Sequence, residues 1–150
     1  MRRKDRQITN HEASELLNTC EYGVLSTVSD NGEPYGIPIS YCVVNNFIYF
    51  HSAINGRKLD NIKNNESVSF CVVGNTEVLP EKFSTKYESA IVSGTIKISH
   101  GKSKQKGLEG LLRKYSPNYI EEGLKYIEKA TDETTVLELN IESLTGKARK

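Results

Sequence analysis

Three strand-like segments separated by tight turns dominate the region from residue 22 to residue 52. Tyr22 to Val28, residues 37–44 and Phe47 to Ser52 are short, rich in β-branched and aromatic residues, and partly alternate between apolar and polar side chains. Asn31-Gly32 and Asn45-Asn46 separate them, and both pairs favour the positive φ angles of tight turns. The sequence therefore predicts an antiparallel meander, so the fold must accommodate consecutive β-hairpins.

The rest of the chain is predicted to add helices and three more strands to this meander. Thr9 and Glu12 have the spacing of a capping box, which predicts a first helix over residues 10–20. Apolar residues at helical spacing predict three further helices, around Leu59 and Ile62, over 108–115 and over 120–127. Alternating segments predict strands over 67–73, 87–99 and 136–141, with a loop over 74–86 and a solvated basic tail at Lys147, Arg149 and Lys150.

Six mostly antiparallel strands flanked by helices indicate a mainly β (α+β) fold. The arrangement predicts a closed or nearly closed six-stranded β-barrel. With 150 residues and 37% hydrophobic content, the chain can build one core but not two, so we predict a single domain over residues 1–150.

Charge and composition exclude several classes of function. The formal net charge is +1, which gives no overall attraction to nucleic acid or to an anionic membrane. No apolar run approaches the roughly 20 residues of a membrane-spanning helix, and the charged start lacks the apolar core of a signal peptide. Cys20, Cys42 and Cys71 lie far apart, outside any CxxC pair, which favours a reducing, cytoplasmic location and gives no spacing for a metal site.

The segment from residue 50 to residue 58 (FHSAINGRK) carries the clearest chemical signal. A strand end passes through a turn containing Gly56 into a helix that begins with Arg57 and Lys58. A helix start offers free N–H groups and a partial positive charge, so two added cations there favour a phosphate-binding site. Cations are otherwise disfavoured at this end of a helix, which is the kind of local conflict expected at a functional site. The alternative is that both side chains simply point into solvent.

Several longer segments resemble a known family. The runs GVLSTVSDNGEPYGIPISY and FIYFHSAINGRKLDNIKNNESVSFCVV are similar in order and spacing to the FMN-binding core of pyridoxamine 5'-phosphate oxidases, members of the FMN-binding split-barrel superfamily. The segments MRRKDRQIT, VVGNTEVLPEKFSTKYESAIVSG and LTGKARK look instead like the nitroimidazole-resistance relatives of that oxidase. The resemblance covers nearly the whole chain and implies an FMN-binding split barrel.

The resemblance assigns candidate cofactor contacts by position. Arg57 and Lys58 match the phosphate-binding pair of the family, and Ser89 matches a polar flavin contact that is a Gln in the oxidase. Residues 37–42 match the strand whose backbone meets the isoalloxazine ring. The family also contacts FMN from the strand that corresponds to Phe47 to Ser52. Its contacts from the two strands correspond to Pro38, Ile39, Ser40, Tyr41, Phe50, His51 and Ser52.

Two departures from the oxidase narrow the expected activity. Neither end of the stretch over residues 37–42 carries the basic residue of the oxidase, so phosphate binding would depend more on Arg57 and Lys58. The basic substrate motif at the oxidase C-terminus is also absent, which argues against vitamin B6 oxidation.

His51 is the candidate catalytic residue. An imidazole beside a flavin could donate a proton to a reduced substrate, whereas the alternative is a packed histidine with no chemical role. If Ile48 and Phe50 face the barrel core, alternation places Phe47, Tyr49 and His51 on the opposite face, towards the cofactor cleft.

The favoured hypothesis is an FMN-dependent oxidoreductase that takes electrons from a reductant and passes them to a small planar acceptor, with nitroaromatic reduction as the example that the family implies. The resemblance also implies a homodimer with FMN in the cleft between subunits, because a barrel of this size is too small to enclose a flavin. Two alternatives remain: a non-catalytic haem- or flavin-binding protein of the same fold, with His51 as an axial ligand, and a deazaflavin-dependent reductase.

Overall fold

A computed structural model describes residues 3–150 of the chain. Four α-helices and seven strands make up most of it. The helices are α1 (Asn10–Thr19), α2 (Arg57–Asn64), α3 (Gly101–Tyr115) and α4 (Ile120–Ala130). The strands are β1 (Tyr22–Val28), β2 (Pro34–Ser40), β3 (Cys42–Val44), β4 (Phe47–Ser52), β5 (Ser67–Leu79), β6 (Ser84–Ser99) and β7 (Thr135–Arg149). No helix among these residues combines the length and hydropathy needed to cross a lipid bilayer.

The strands form a single antiparallel sheet in the order β2-β1-β5-β6-β7-β4-β3. The two end strands of this order are consecutive in sequence, joined only by Tyr41, so the sheet must curl until its ends meet. The mainly β split-barrel fold predicted from the sequence is thereby confirmed. The strand count is seven rather than six because the predicted strand over residues 37–44 breaks at Tyr41 into β2 and β3.

Two predicted boundaries in the second half of the sheet are wrong. The predicted loop over residues 74–86 is mostly strand: after a register shift between Val73 and Thr76, β5 and β6 continue as a hairpin to Leu79 and Ser84. The last strand, predicted over residues 136–141, is longer than expected: β7 runs to Arg149, pairs that residue with Tyr87, and so includes part of the predicted basic tail. We call residues 76–87 the hairpin arm. Most of its side chains are exposed or partly exposed on both faces, so no apolar alternation marked it in the sequence.

The barrel interior is filled from the sheet and from two helices. Leu25, Phe70, Val92 and Leu139 are examples of fully buried inward side chains. Helix α1 adds apolar side chains to this core, and helix α2 adds two more: Ala13, Leu16, Leu17, Leu59 and Ile62. The predicted capping box begins α1, with Thr9 and Glu12 each accepting the other's backbone N–H.

Helices α3 and α4 cover part of the outer surface of the barrel. Helix α3 packs on β3, β4 and β7, and α4 packs against α3. Together they form a second cluster that includes Tyr49, Leu108, Ile127 and Val136. Ile48 and Phe50 lie in the barrel core, as predicted. The expectation that the opposite face of β4 opens towards a cleft is wrong for Tyr49, which α3 buries, whereas His51 on the same face is exposed.

On another part of the outer surface, no helix of the described residues packs over the apolar side chains. We call this part the bare face. Tyr22, Val24, Val73 and Ile91 lie on it with 61%, 40%, 58% and 45% of their surface exposed. By register it consists of Gly36, Pro38 and Ser40 on β2, Tyr22, Val24 and Ser26 on β1, Ser69, Cys71 and Val73 on β5, Ser89, Ile91 and Ser93 on β6, and Ser143, Thr145 and Lys147 on β7. Lys147 is the one charged residue of this set.

Candidate functional site

The start of helix α2 is an open, positively charged helix end. Gly56 precedes the helix with φ 138° and ψ 164°, a conformation that a side chain would strain, and no side chain of the described residues caps the first turn. The first N–H groups of the helix are therefore available to a ligand. Arg57 and Lys58 occupy the first two helical positions, as the sequence predicted.

A buried polar contact fixes this helix against the barrel. The Asn61 side-chain amide donates a hydrogen bond to the Thr27 hydroxyl at 2.9 Å, and that hydroxyl lies 3.3 Å from the carbonyl oxygen of Tyr35, to which it donates. Asn61 and Thr27 are both buried. These residues escaped the sequence analysis because polar side chains usually lie at the surface. The available signal was the inward phase of Thr27, which follows Gly23 and Leu25 at two-residue spacing on β1.

Arg57 and Lys58 differ in their surroundings. The Arg57 guanidinium lies 3.0 Å from a carboxylate oxygen of Glu33 and 4.6 Å from the centre of the Tyr35 ring. Lys58 is half-buried and forms no ion pair with any residue in the described range 3–150. The Arg57–Glu33 pair is exposed, and such pairs contribute little stability. One cation of the predicted pair is thus free of a carboxylate, and the other could exchange its carboxylate for a phosphate.

Three further candidate residues lie at the end of β4, shortly before α2 in the sequence. Phe50 is fully buried and packs edge-to-face on Phe70, with ring centres 5.1 Å apart. Ser52 is buried, and its hydroxyl donates to the carbonyl of Ala53 at 2.9 Å. His51 is exposed and makes no side-chain hydrogen bond within residues 3–150. Of these three side chains, only that of His51 is open to a ligand; Phe50 and Ser52 could contribute backbone groups.

The next candidate residues lie on β2, which is an end strand in the order of the sheet. Pro38 is exposed, while Ile39 and Ser40 are partly buried. Pro38 fits an end strand, because proline cannot donate a hydrogen bond to a neighbouring strand. Tyr35, which contacts Arg57, is five residues before Ser40, so β2 extends about 17 Å from the helix start. This length is comparable to that of an extended flavin mononucleotide.

Tyr41, which directly follows β2, differs from the candidates on that strand because its polar groups are already satisfied. Its ring is fully buried, its hydroxyl donates to the carbonyl of Leu17, and burial raises its pKa above the usual range. Its backbone N–H donates to the Tyr115 hydroxyl at 3.0 Å, and its carbonyl lies 3.0 Å from the same hydroxyl. Tyr115 thus holds the chain at the break between β2 and β3, and a cofactor would have to compete with it for the Tyr41 backbone.

Ser89 is not brought together with the other candidates within one chain. It lies on the bare face opposite Val73, and Ser40 lies on the same face opposite Tyr22. Since β2, β1, β5 and β6 are successive neighbours, Ser40 and Ser89 are three strand spacings apart, about 14 Å.

A cavity of about 650 Å³ lies at the far end of β1 from Arg57 and contains none of the candidate residues. Cys20, Tyr22, Cys71 and Glu88 are among its lining residues, and burial raises the pKa of both thiols, which keeps them neutral. Its size would suit a small ligand. The helix start suits a phosphate better than this cavity does, because a phosphate needs cations and N–H donors, and the cavity is bordered by the carboxylates of Glu21 and Glu88.

Solved structures of several other proteins have the same fold. A proposed 5-nitroimidazole antibiotic resistance protein from Bacteroides thetaiotaomicron is 19% identical with a TM-score of 0.81, and the match covers 95% of this chain and 86% of that one. An FAD and haem binding protein from Mycobacterium smegmatis is 21% identical with a TM-score of 0.83, covering 97% and 74%. An FAD-binding protein from Mesorhizobium loti is 20% identical with a TM-score of 0.70, covering 97% and 98%.

At these identities the structural likeness shows the fold alone. Among curated proteins, no match to this chain is found. The family itself is shown by sequence, because the profile of the pyridoxamine 5'-phosphate oxidase family matches residues 9–148, nearly the entire chain. The chain therefore belongs to the pyridoxamine 5'-phosphate oxidase family.

Proposed function

We propose that this protein binds FMN and acts as an FMN-dependent oxidoreductase on a small planar electron acceptor such as a nitroaromatic compound. The observation that carries the proposal is the uncapped start of α2, where Lys58 has no carboxylate partner among residues 3–150. Free N–H groups, a helix dipole and two cations together suit a terminal phosphate. Gly56 supports the same assignment, because no heavy atom of residues 3–150, other than those of Gly56 and its two chain neighbours, lies within 4 Å of the position that a Cβ would occupy there, which leaves space beside the helix start.

The roles of the protein residues follow from this placement. Lys58 and Arg57 would hold the phosphate, and the backbone of β2 would lie along the flavin ring. The bound flavin would supply the redox chemistry, accepting two electrons from a reductant and passing them to the acceptor. His51, exposed at the end of β4, would deliver a proton to the acceptor from its ring nitrogen.

A homodimer with the flavin at the subunit interface is part of the proposal. The bare face supports it, because a solvated sheet face of five strands would ordinarily carry several charges, and this one has only Lys147. Ser89 gives a second reason. It lies about 14 Å from Ser40 in its own chain, so a second copy is the simpler source of a Ser89 contact to a flavin that lies along β2.

Haem binding is the second candidate function. Some proteins of this fold are haem binders, including the Mycobacterium smegmatis protein that binds both FAD and haem. The His51 ring is exposed and makes no side-chain hydrogen bond within residues 3–150, which favours this candidate because an axial ligand needs a free imidazole nitrogen.

Cofactor titration of the purified protein tests these candidates. We expect FMN to bind more tightly than riboflavin, because only FMN carries the phosphate. FAD serves as the comparison, because its phosphates form a bridge and none of them is terminal. Haem is titrated in parallel. Equal affinity for FMN and riboflavin would overturn the phosphate site at α2. A Soret band at stoichiometric haem, lost in His51→Ala, would favour the second candidate.

A further inference from the structure

The hairpin arm extends beyond the rest of the sheet. On one side Tyr87 pairs with Arg149, and beyond that pair the backbones of β5 and β6 pair only with each other among residues 3–150. An isolated two-stranded hairpin is only marginally stable in water, because it has few apolar contacts. The arm is closed at its tip by a turn over Pro80–Lys82.

The tip of the arm presents an aromatic ring to solvent. Phe83 is 98% exposed, and Val78 on the paired strand is 70% exposed. Phe83 also has a left-handed backbone conformation, with φ 48° and ψ 47°. A bulky residue is unfavourable in this conformation, where glycine or asparagine would fit without strain. A strained and fully exposed aromatic residue suggests that its side chain has a partner outside the chain.

The bare face is too small to form a stable interface by itself. It is five strands wide and five residues long, about 20 Å by 15 Å, which gives a flat area of ~300 Å². A specific protein interface buries about 800 Å² on each partner. The arm is the direct continuation of β5 and β6, two of the strands that form the bare face, so it extends the same surface.

We infer that the hairpin arm docks on a second copy of this chain, with Phe83 as its apolar anchor. The inference rests on the homodimer of the proposed function and names a contact that supplements the bare face. A two-fold dimer uses the same surface on both subunits, so each copy contributes one arm and receives one. Aromatic residues are frequent anchors of such interfaces, because a large apolar area is desolvated when the ring enters a pocket.

The test is a pair of substitutions at Phe83 that suit its backbone. Phe83→Gly and Phe83→Asn remove the ring and tolerate positive φ, so the fold should be retained, with thermal stability of the isolated subunit unchanged or higher. Sedimentation over a range of protein concentrations should show that the dimer dissociation constant rises at least about tenfold in both variants. Lys82→Ala, in the same turn, is the matched control and should dimerise like the parent.

The outcomes separate this inference from the proposed function. A dimeric parent whose dissociation constant is unchanged by both substitutions would overturn the role of the arm and leave the homodimer standing. A parent that remains near 16.8 kDa at high micromolar concentration would overturn the homodimer and the arm contact together. FMN affinity, measured separately by fluorescence, reports on the phosphate site in either case.

Discussion

Arg57 and Glu33 form an ion pair that joins the first turn of α2 to the residue before β2, with Nη2 of Arg57 3.0 Å from Oε2 of Glu33. The same guanidinium lies over the Tyr35 ring. The cation proposed to bind a phosphate is therefore held in place by a carboxylate that the phosphate would have to displace. Glu33 and an incoming phosphate carry the same sign of charge, so Glu33 should weaken anion binding at this site.

Glu33→Gln should strengthen FMN binding. Exposed ion pairs contribute about 0.2–1 kcal/mol, so freeing Arg57 should raise the affinity by up to about fivefold. Fluorescence titration with FMN measures the effect, which should shrink at high salt because the charges are screened. Glu121→Gln on α4 is a control of equal charge change. Weaker FMN binding in Glu33→Gln would instead mean that Glu33 is needed to orient Arg57.

Lys58→Ala should weaken FMN binding and leave the fold intact. Loss of one charge-assisted hydrogen bond to a phosphate costs about 1.5–3 kcal/mol, or roughly tenfold to a hundredfold in affinity. Riboflavin lacks the phosphate and should bind the variant and the parent alike, which serves as the internal control. Lys63→Ala, on the last turn of the same helix, should have no effect. Equal FMN affinity in Lys58→Ala and the parent would remove Lys58 from the site.

The sequence predicted those parts of the molecule where local pattern and environment agree. The meander over β1 to β4 was predictable because apolar residues alternate and tight turns separate the strands. The break at Tyr41 was not, since its ring continues the apolar pattern of residues 37–44. At this break the Tyr41 N–H donates to the hydroxyl of Tyr115, 74 residues away in sequence, and no local pattern indicates that contact.

The same distinction applies to the candidate site. Arg57 and Lys58 were predictable because a glycine turn and a helix start are local features. The Asn61–Thr27 contact was not, because it joins two elements that are distant in sequence through ordinary polar residues. The separation of Ser89 from Ser40 required the strand order, which no local pattern gives.

Glu138 should make the stability depend on pH. It is buried, and burial alone would raise its pKa. Hydrogen bonds from Ser103 and Ser99 and the charge of Lys97 lower the pKa by more than burial raises it, so the net pKa shift is downward. The folded state thus favours the carboxylate. The stabilisation is fully present above the unfolded pKa of about 4.3 and is lost as the pH falls through the lower folded pKa.

Glu138→Gln should therefore reduce the free energy of unfolding at pH 7 by about 1–3 kcal/mol, because the hydrogen bonds and the ion pair are weakened or lost. The difference from the parent should narrow as the pH falls towards 3. Urea denaturation at several pH values measures both effects. A difference that stays constant between pH 7 and pH 3 would show that the titration of Glu138 does not contribute.

The role of His51 can be separated from a packing role because its ring is exposed. It forms no side-chain hydrogen bond within residues 3–150. Its partner on β7, Val136, is by contrast buried beneath α3 and α4. Removing the ring should thus change the free energy of unfolding little, since substitutions of exposed side chains usually change it by no more than about 0.5 kcal/mol. A catalytic role would act on turnover instead.

His51→Ala should preserve FMN affinity more nearly than Lys58→Ala does, because His51 is not one of the two cations proposed to hold the phosphate. Turnover of a nitroaromatic acceptor should fall about a hundredfold or more if the imidazole acts as a general acid. His11→Ala is the matched control, because it removes an exposed histidine from α1 instead of from β4. This variant should keep full turnover. Full activity in His51→Ala together with a lower melting temperature would make His51 a structural residue. The proton would then come from water or from another group, and the exposed position of His51 would have no part in the reaction.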